Sequence, residues 1–393
     1  MTKKNRWILP EGIEEILPPD AAQVENLCRQ ILDQFKVWGY DLVMPPLIEF
    51  LDSLLTGTGE DLDLQTFKIT DQLSGRTMGL RADMTPQVAR IDAHILKSNF
   101  PTRLCYLGTV IHTRPGGHGG TRAPLQVGAE LHGHAGPESD AEILCLMIKT
   151  LRLAGLNNIH IDLGHVGIYR GLLHSLDLSA EQESLLFDAL QRKAKAELKS
   201  MMDAWALSAT TAKMLMCLND LNGDDAVLDE ARQRLSGADA SVLACVDELE
   251  KIMALVKMQI PDAPLHFDLA ELRGYHYYTG FTFAAYTPAQ GQGIAFGGRY
   301  DDVGAAFGRA RPATGFSTDV KLLFSLSKQP ATVNSAIFAR FSEVPGLNNL
   351  VESLRAQGEI VIFALPGQVG DAGDMGCDRQ LQLKNGKWTI VAI

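Results

Sequence analysis

The stretch "ELRGYHYYTGFTFAAY", residues 271–286, concentrates side chains that could bind a small polar molecule. Arg273 offers a planar guanidinium that can donate two parallel hydrogen bonds to a carboxylate, and Gly274 allows a tight turn beside it. Tyr277 and Tyr278 present ring faces with hydroxyl ends. Packing alone could explain one of the two tyrosines, because alternate residues of an extended segment face opposite ways. The segment favours a site for a carboxylate-bearing ligand, which the protein either transforms or only senses.

Residues 125–132, "LQVGAELH", alternate between apolar and polar side chains as a β-strand does. The polar face holds Gln126, Gly128, Glu130 and His132. A half-buried strand with this face in water would show the same pattern without binding anything. However, Gly128 leaves a notch where a ligand could approach the backbone. Gln126 and Glu130 are about 13 Å apart along the strand, so their side chains can converge on a molecule of amino-acid size.

The run "LRADMTPQ", residues 80–87, places Asp83 and Thr85 just before a helix that Pro86 can start. Side chains of these types cap helix N-termini, and capping alone could explain both. A helix N-terminus beside a cavity also favours the carboxylate of a ligand. Both interpretations stay open at this point.

Four histidines raise the question of a metal site: His112, His118, His132 and His134. No Cys or acidic residue completes a compact ligand set with them, so we expect no metal and no cofactor. The glycine-rich run 114–122, "RPGGHGGTR", is interpreted as a surface loop, with a subunit contact as the alternative. The run 296–302, "FGGRYDD", follows no phosphate-loop or dinucleotide pattern, although its Arg299 could matter beside a ligand.

The composition is that of an ordinary globular protein, with 393 residues, 46% hydrophobic and 21% charged. The net charge of −11 argues against a general nucleic-acid surface, which needs clustered Lys and Arg. The six cysteines show no CxxC pair, which is typical of reduced thiols in the cytoplasm. We find neither a signal peptide nor an apolar run of about 18 residues, so we expect no membrane span.

These polar segments lie on predicted strands and helix ends. An amphipathic helix is predicted at 20–38, with Asp20 as its cap, and another at 138–156. Residues 64–81 are predicted to form a hairpin around Ser74-Gly75. The remaining strands are predicted at 40–50, 103–113, 121–134, 158–167, 265–287 and 291–303.

Hairpins separate the strands and helices come in blocks, which predicts an α+β fold with a mixed, mainly antiparallel sheet and flanking helices. Residues 168–262 are rich in Ala, Leu, Glu and Lys, and indicate an all-helical insertion in a core that spans 1–328. Residues 329–393 predict a short C-terminal α/β domain with a helix at 346–358 and strands at 359–365 and 387–393. The charged helices of the insertion are expected to be solvated, with partner binding as the alternative.

Between residues 10 and 325 the chain resembles the catalytic core of histidyl-tRNA synthetases, a class II synthetase fold. The likeness lies in "GYDLVMPPLIEF", "LRADMTPQVAR", "LQVGAELHG", "LGHVGIYRGLL", "LRGYHYYTG" and "FGGRYDDV". The resemblance implies that the ligand is histidine and that seven residues bind it: Asp83, Thr85, Gln126, Glu130, Arg273, Tyr277 and Tyr278. Asp83, Thr85 and Gln126 would bind the ammonium. Arg273 would bind the carboxylate, and Glu130 with the tyrosines the imidazole.

The sequence departs from synthetases where the family binds ATP. In "VIHTRP", Ile111 and Thr113 stand where the second motif of the family has arginine and glutamate. In "GFSTDVKLL", Lys321 and Leu322 stand at the glutamate and arginine of the third motif. Losing a guanidinium that stabilises phosphate charge removes several kcal/mol of transition-state stabilisation. We therefore expect no catalytic residues and no aminoacylation.

Together with the shortened tail, these features are similar to the regulatory subunits of ATP phosphoribosyltransferase. This resemblance implies a non-catalytic subunit that activates a short catalytic subunit in the first step of histidine biosynthesis. It also implies feedback inhibition by free histidine in the former synthetase pocket. The implied assembly is a homodimer within a hetero-oligomer, an octamer by expectation, in the cytoplasm and without nucleic acid or membrane. The alternatives are a histidine-adenylating enzyme such as histidyl-tRNA synthetase, and a module that binds tRNA or another synthetase.

Overall fold

The computed structural model describes residues 7–57, 60–116, 120–174, 176, 178–272, 274–275, 277–327 and 335–393. The chain divides into two compact units, Met1–Gln329 and Pro330–Ile393. Each unit has a hydrophobic core of its own. None of the helices within the described ranges is long and apolar enough to cross a membrane.

The first unit begins with helix α1, Asp20–Val37, whose apolar positions Val24, Leu27, Ile31 and Phe35 recur every three or four residues and are all buried. The predicted cap is wrong by one residue, because Pro19 is the N-cap and Asp20 lies in the first turn. Short elements follow: β1 Asp41–Leu42, β2 Ile48–Phe50, α2 Leu51–Leu54, α3 Glu60–Gln65, β3 Phe67–Thr70 and β4 Thr77–Leu80.

Strands β3 and β4 form the predicted hairpin, with Thr70 opposite Thr77. The Asp71 carboxylate accepts hydrogen bonds from the backbone of Leu73 and Ser74, which closes the turn. Gly75 has φ +70°, a conformation that glycine adopts at little cost. The next elements are α4 Thr85–Arg90, a π-helix Ile91–Leu96, β5 Thr102–Thr109, β6 Leu125–His132, α5 Pro137–Leu153 and β7 His160–His165.

The predicted insertion is helical, apart from a two-residue strand. Its elements are α6 Val166–Leu173, α7 Ala180–Gln191, α8 Lys195–Ala204, α9 Ala209–Leu218, β8 Asn222–Gly223, α10 Ala226–Arg234 and α11 Ala240–Gln259. Val242, Val246 and Val256 of α11 share one hydrophobic cluster with α5 and the sheet, because the helix packs directly on them.

The remaining elements of this unit are β9 Leu265–Asp268, β10 Phe281–Thr287, β11 Gln290–Arg299, a 3₁₀-helix Val303–Phe307, β12 Ala313–Asp319 and α12 Val320–Leu326. Among the described residues, nine strands form one sheet in the order β1-β5-β6-β12-β11-β10-β7-β9-β8. Its pairs are antiparallel except β1–β5 and β7–β9. This architecture confirms the predicted α+β fold.

One row of Cα partners crosses the sheet on the face that carries Glu130. Glu130 pairs with Gly315, Gly315 with Gly298, Gly298 with Thr282, and Thr282 with Gly164. Residues directly opposite each other on neighbouring strands point to the same face. Three glycines in this row leave the sheet surface bare, so side chains and loops can lie directly on the backbone. We call this side of the sheet the cavity face.

A buried ion pair anchors β11 to the first turn of α5. The Arg299 guanidinium donates to one oxygen of Asp140 through Nε at 3.1 Å and through Nη2 at 2.7 Å. Arg299 also donates to the hydroxyl of Ser139 and to the carbonyl oxygens of His134 and Gly136. The sequence suggested that Arg299 could contact a ligand, but its guanidinium instead holds β11 to α5.

The second unit is a four-stranded sheet with one helix. Its elements are β13 Ala336–Ala339, α13 Leu347–Ala356, β14 Ile360–Phe363, β15 Arg379–Lys384 and β16 Lys387–Ala392, in the sheet order β14-β13-β15-β16. Strands β15 and β16 form a hairpin closed by Asn385-Gly386, both with positive φ, as a two-residue turn between twisted strands requires. Sequence patterning predicted α13, β14 and β16 but not β13 and β15.

We predict that Arg299→Ala lowers the free energy of unfolding by about 3–5 kcal/mol, because it leaves the Asp140 carboxylate buried without its partner. The measurement is urea unfolding followed by circular dichroism. Arg192→Ala removes an exposed arginine with two surface ion pairs and serves as the control, with an expected loss below about 1 kcal/mol. Equal losses in the two variants would show that the buried pair has no such role.

Candidate ligand-binding site

A cavity of about 320 Å³ lies on the cavity face. The start of α4, the segment between β9 and β10, and the glycine row enclose it. It is lined by Asp83, Thr85, Glu130, Glu271, Gly274, Tyr277, Tyr278, Thr282, Phe283, Ala284, Phe296, Gly297, Tyr300, Gly315, Phe316 and Ser317. Of the seven residues that the sequence proposed for the site, five line this cavity: Asp83, Thr85, Glu130, Tyr277 and Tyr278.

Glu130 lies at the base of the cavity and is 1% exposed. One carboxylate oxygen accepts hydrogen bonds from the hydroxyls of Thr85 at 3.1 Å and Tyr106 at 2.9 Å. The other accepts from the hydroxyl of Tyr300. A Cβ on Gly315 would lie 1.5 Å from this second oxygen, so only glycine fits opposite Glu130. The carboxylate is therefore held in one position by three donors and a bare strand.

Burial raises the pKa of Glu130 to about 8, and the nearby Asp83 carboxylate acts in the same direction. The hydroxyls of Tyr300, Tyr106 and Thr85 lower the pKa of Glu130, but by less than burial raises it. A carboxyl group in this state holds its proton near neutral pH. It can then donate a hydrogen bond or give the proton to a basic ligand atom.

A chain of hydrogen bonds joins Gln126 to Glu130 through the start of α4. The Gln126 amide donates to Asp83 Oδ1 at 2.7 Å and accepts from the Met84 backbone N–H at 3.0 Å. The Thr85 hydroxyl lies 3.3 Å from Asp83 Oδ1 and also donates to Glu130. Gln126 thus fixes the orientation of the Asp83 carboxylate. Gln126 and Glu130, the two polar residues of β6, are linked only indirectly, through Asp83 and Thr85.

The capping interpretation is wrong in detail, because Met84 is the N-cap of α4, without a side-chain cap hydrogen bond, and Thr85 is the first helical residue. A local turn involves Asp83. Its Oδ1 accepts the backbone N–H of Thr85 at 3.1 Å, in the first turn of α4. All hydrogen bonds that the described residues make to this carboxylate go to Oδ1. The carboxylate thus closes a turn before the helix through one oxygen and lines the cavity at the same time.

Tyr277 and Tyr278 both line the cavity, although packing was an alternative for one of them. The ring of Tyr277 stacks on Tyr300 with centroids 5.2 Å apart, and it meets Tyr278 edge to face at 5.3 Å. The Tyr277 hydroxyl is buried without a hydrogen-bond partner among the described residues, and burial raises its pKa well above the usual value. Gly274, at φ +69°, leaves the space that the Tyr278 ring occupies.

Tyr106 and Tyr300, which donate hydrogen bonds to Glu130, were not predicted from the sequence. Tyr106 fills the notch at Gly128, where a Cβ would lie 2.4 Å from the tyrosine hydroxyl. The expectation that a ligand approaches the backbone at Gly128 is therefore wrong. The pairing of Tyr106 with Gly128 across β5 and β6 is a cross-strand contact that a single strand pattern does not reveal.

Arg273 lies outside the described residues, and its role stays a prediction. Three of the four candidate metal-site histidines each have a different neighbour. His112 bonds the Ala82 carbonyl, His134 the Ser139 hydroxyl, and His132 meets the Tyr300 ring. The fourth, His118, is also outside the described residues.

Four residues stand at the positions where synthetases carry ATP-binding residues: Ile111, Thr113, Lys321 and Leu322. Three of them make contacts within the protein. The Thr113 hydroxyl donates to the Leu64 carbonyl at 2.6 Å. The Lys321 ammonium lies 3.7 Å from the Glu14 carboxylate, and Leu322 packs against the hydrophobic core. These side chains serve local structure, and none of the four is an arginine that could fix a phosphate.

Comparison with known proteins agrees with this geometry. A family model described as histidyl-tRNA synthetase matches residues 12–323, so the fold and the site define a histidyl-tRNA synthetase-like protein of class II. A second model, the C-terminal domain of ATP phosphoribosyltransferase subunit HisZ, matches residues 334–391. A solved histidyl-tRNA synthetase from Nostoc, 19% identical over 98% of this chain and 97% of its own, shares the fold with a TM-score of 0.80.

Full-length relatives narrow the class further. The ATP phosphoribosyltransferase regulatory subunit of Thioalkalivibrio sulfidiphilus is 57% identical over 99% of both chains. That of Alkalilimnicola ehrlichii is 54% identical over 98% of this chain and 96% of its own. A Bacillus halodurans structure described as an ATP phosphoribosyltransferase regulatory subunit/histidyl-tRNA synthetase is 29% identical, covers 94% of this chain and 96% of its own, and has a TM-score of 0.84. The chain belongs to the family of ATP phosphoribosyltransferase regulatory subunits.

We predict that Gly315→Ala destabilises the protein by about 1–3 kcal/mol, because the added methyl group displaces the Glu130 carboxylate from its three donors. Gly291→Ala is the matched control on β11, since a Cβ there meets nothing within 4 Å. Urea unfolding of both variants tests the prediction. Wild-type stability in Gly315→Ala would mean that Glu130 does not depend on this glycine.

The raised pKa of Glu130 predicts a pH dependence of stability. Between the ordinary value of 4.5 and about 8, the folded state keeps a proton that the unfolded state releases. The contribution of Glu130 to the free energy of unfolding is therefore largest below pH 4.5, falls as the pH rises, and levels off above about pH 8. The difference in unfolding free energy between wild type and Glu130→Gln should change over this range. A difference that is constant from pH 5 to pH 8 would contradict the assignment.

Proposed function

We propose that this chain activates the short catalytic subunit of ATP phosphoribosyltransferase and transmits feedback inhibition by free histidine bound in the cavity. Family membership supports the partnership with a catalytic subunit. The observation that carries the histidine part is the buried Glu130 among Thr85, Tyr106 and Tyr300, in a cavity that Asp83 also lines. This cavity offers separate partners for an amino group and for a polar ring.

The proposed placement assigns each end of histidine to different groups. Asp83, held by Gln126, and the Thr85 hydroxyl bind the ammonium. Arg273 binds the carboxylate, as the resemblance to histidyl-tRNA synthetases implies. Glu130 and the unpartnered Tyr277 hydroxyl bind the imidazole.

The protonation state of Glu130 favours an imidazole over other rings. With its pKa raised to about 8, the group carries a proton at neutral pH. On binding, the unprotonated imidazole nitrogen can accept a hydrogen bond from this proton, which stays on Glu130 because the carboxyl group is the weaker acid of the two. A phenyl ring of similar size has no such acceptor and would leave the Glu130 proton and the Tyr277 hydroxyl without a partner.

Inhibition requires that histidine bind one state of the complex more tightly than the other. The segment between β9 and β10 is the element we propose to respond, because its Tyr277 and Tyr278 line the cavity while Gly274 is exposed. Closure of this segment on histidine would move the surface around Gly274. The partner then experiences a different surface in the two states.

Homodimer formation is proposed through the region of β1 and β2. Leu42, Met44, Leu47 and Ile48 are all exposed there, and Met44 is 82% exposed. Neighbouring apolar side chains of this size are typical of a subunit interface. A homodimer of this kind, within an octameric hetero-oligomer, is the assembly we propose.

The proposed location is the cytoplasm. All six cysteines are free thiols, which supports a cytoplasmic location.

We predict that adding this protein to the short catalytic subunit raises its turnover, and that free histidine reverses the gain. Glu130→Gln, which keeps the shape of the side chain but has no acidic O–H to donate to the imidazole nitrogen, should weaken histidine binding at least tenfold, measured by calorimetry on the free chain. Its complex with the catalytic subunit should still form but resist inhibition by histidine. Glu230→Gln, a change at an exposed surface ion pair, is the control and should behave as wild type.

Two results would contradict the proposal in different ways. Absence of any effect on turnover would refute the activating role, whereas inhibition of Glu130→Gln at the wild-type histidine concentration would refute the site. Histidine-dependent exchange of pyrophosphate into ATP would support the synthetase alternative instead. The residues at Ile111, Thr113 and Leu322 argue against that exchange.

A further inference from the structure

Three side chains of metal-ligating types lie together on the cavity face, on the β7–β9 pair beside the edge strand β8: His160, Asp162 and His266. Asp162 Oδ1 lies 2.8 Å from His160 Nε2 and 3.0 Å from His266 Nδ1. The two imidazole rings are 4.7 Å apart between centroids. All potential ligand atoms fall within 4.8 Å of one another. The cluster is separate from the four histidines that the sequence singled out.

Strand register fixes this arrangement. Asp162 and His266 are Cα partners in the parallel β7–β9 pair, so their side chains point to the same face. His160 lies two residues before Asp162 on the same strand and therefore shares that face. Three ligands on paired strands are held more rigidly than ligands on loops, and their positions need little adjustment to bind an ion.

We propose that His160, Asp162 and His266 bind one divalent transition-metal cation, with Zn²⁺ as the representative. Two imidazole nitrogens and one carboxylate oxygen are ligands that zinc prefers, whereas Mg²⁺ and Ca²⁺ prefer oxygen ligands. Three protein ligands leave at least one coordination position for water or another donor. Because the His160 side chain is 51% exposed, that position faces solvent.

The two imidazoles converge on a single oxygen, with their rings in contact. A cation between the three groups takes one lone pair from each, and neutral imidazoles then carry their proton on the opposite ring nitrogen. No oxidation or reduction is involved. The carboxylate gives the site the negative charge that attracts the ion.

The cation site borders the proposed histidine cavity but does not depend on it. Asp162 is the Cα partner of Ala284, and Ala284 lines the cavity. The cluster itself contains no cavity-lining residue. Metal binding is therefore testable on the chain alone, without histidine or the catalytic subunit.

The test is calorimetric titration of the full chain, stripped with EDTA and exchanged into chelator-free buffer, with ZnCl₂ alone. We expect one equivalent of Zn²⁺ to bind at this site. His160→Ala and Asp162→Asn should each weaken this binding at least tenfold. Circular dichroism checks that both variants fold, which we expect because His160 is exposed and asparagine keeps the shape of Asp162. His94→Ala, at an exposed histidine elsewhere on the chain, is the control and should bind as wild type does.

X-ray absorption at the zinc edge identifies the ligands. We expect only nitrogen and oxygen neighbours at about 2.0–2.2 Å. A sulfur shell near 2.3 Å would place the ion at cysteines and overturn the proposal. Unchanged Zn²⁺ affinity in both His160→Ala and Asp162→Asn, or failure of the wild type to bind stoichiometric Zn²⁺, would also overturn it.

Discussion

The site depends on the burial of one carboxyl group, Glu130, against bare backbone. A side chain on Gly315 would collide with it, and the glycine row gives the surrounding loops direct access to the sheet. Removing a carboxylate from water costs several kcal/mol unless hydrogen bonds compensate. The hydroxyls of Thr85, Tyr106 and Tyr300 provide these bonds, and a raised pKa relieves the remaining cost through protonation. The other polar residues of the cavity are arranged around this group.

The hydrogen bonds around Glu130 distinguish the cavity, which the protein has, from the ATP site of synthetases, whose arginines it lacks. The groups around Glu130 support one another through hydrogen bonds that continue to Gln126, so a change in any of them disturbs the others. At the positions of the synthetase ATP site, the Thr113 hydroxyl donates to the Leu64 carbonyl and the Lys321 ammonium lies near the Glu14 carboxylate, and neither of these contacts involves Glu130 or Gln126. A ligand pocket built into the sheet can therefore persist after residues at its border have changed.

The sequence predicted the sheet strands whose pattern is local, such as β6 and the β3–β4 hairpin. It also predicted Asp83, Thr85 and Glu130, since alternation and capping signals act over a few residues. Strand β12 was missed because "ATGFSTD" has three small residues, Ala313, Gly315 and Ser317, and a single large apolar side chain, although it pairs with β6 and provides Gly315. Tyr106 and Tyr300 meet Glu130 only through long-range pairing. A single strand pattern holds no information about which strand becomes its neighbour.

The continuous core beneath α11 has a mechanical consequence. Val242, Val246 and Val256 pack against α5 and β7, so the helical insertion and the sheet share one core. Under the proposed function, a change that begins at the cavity would reach a partner by sliding of these packed helices or through the surface segment around Gly274. The proposed partner surface therefore includes one of these two places.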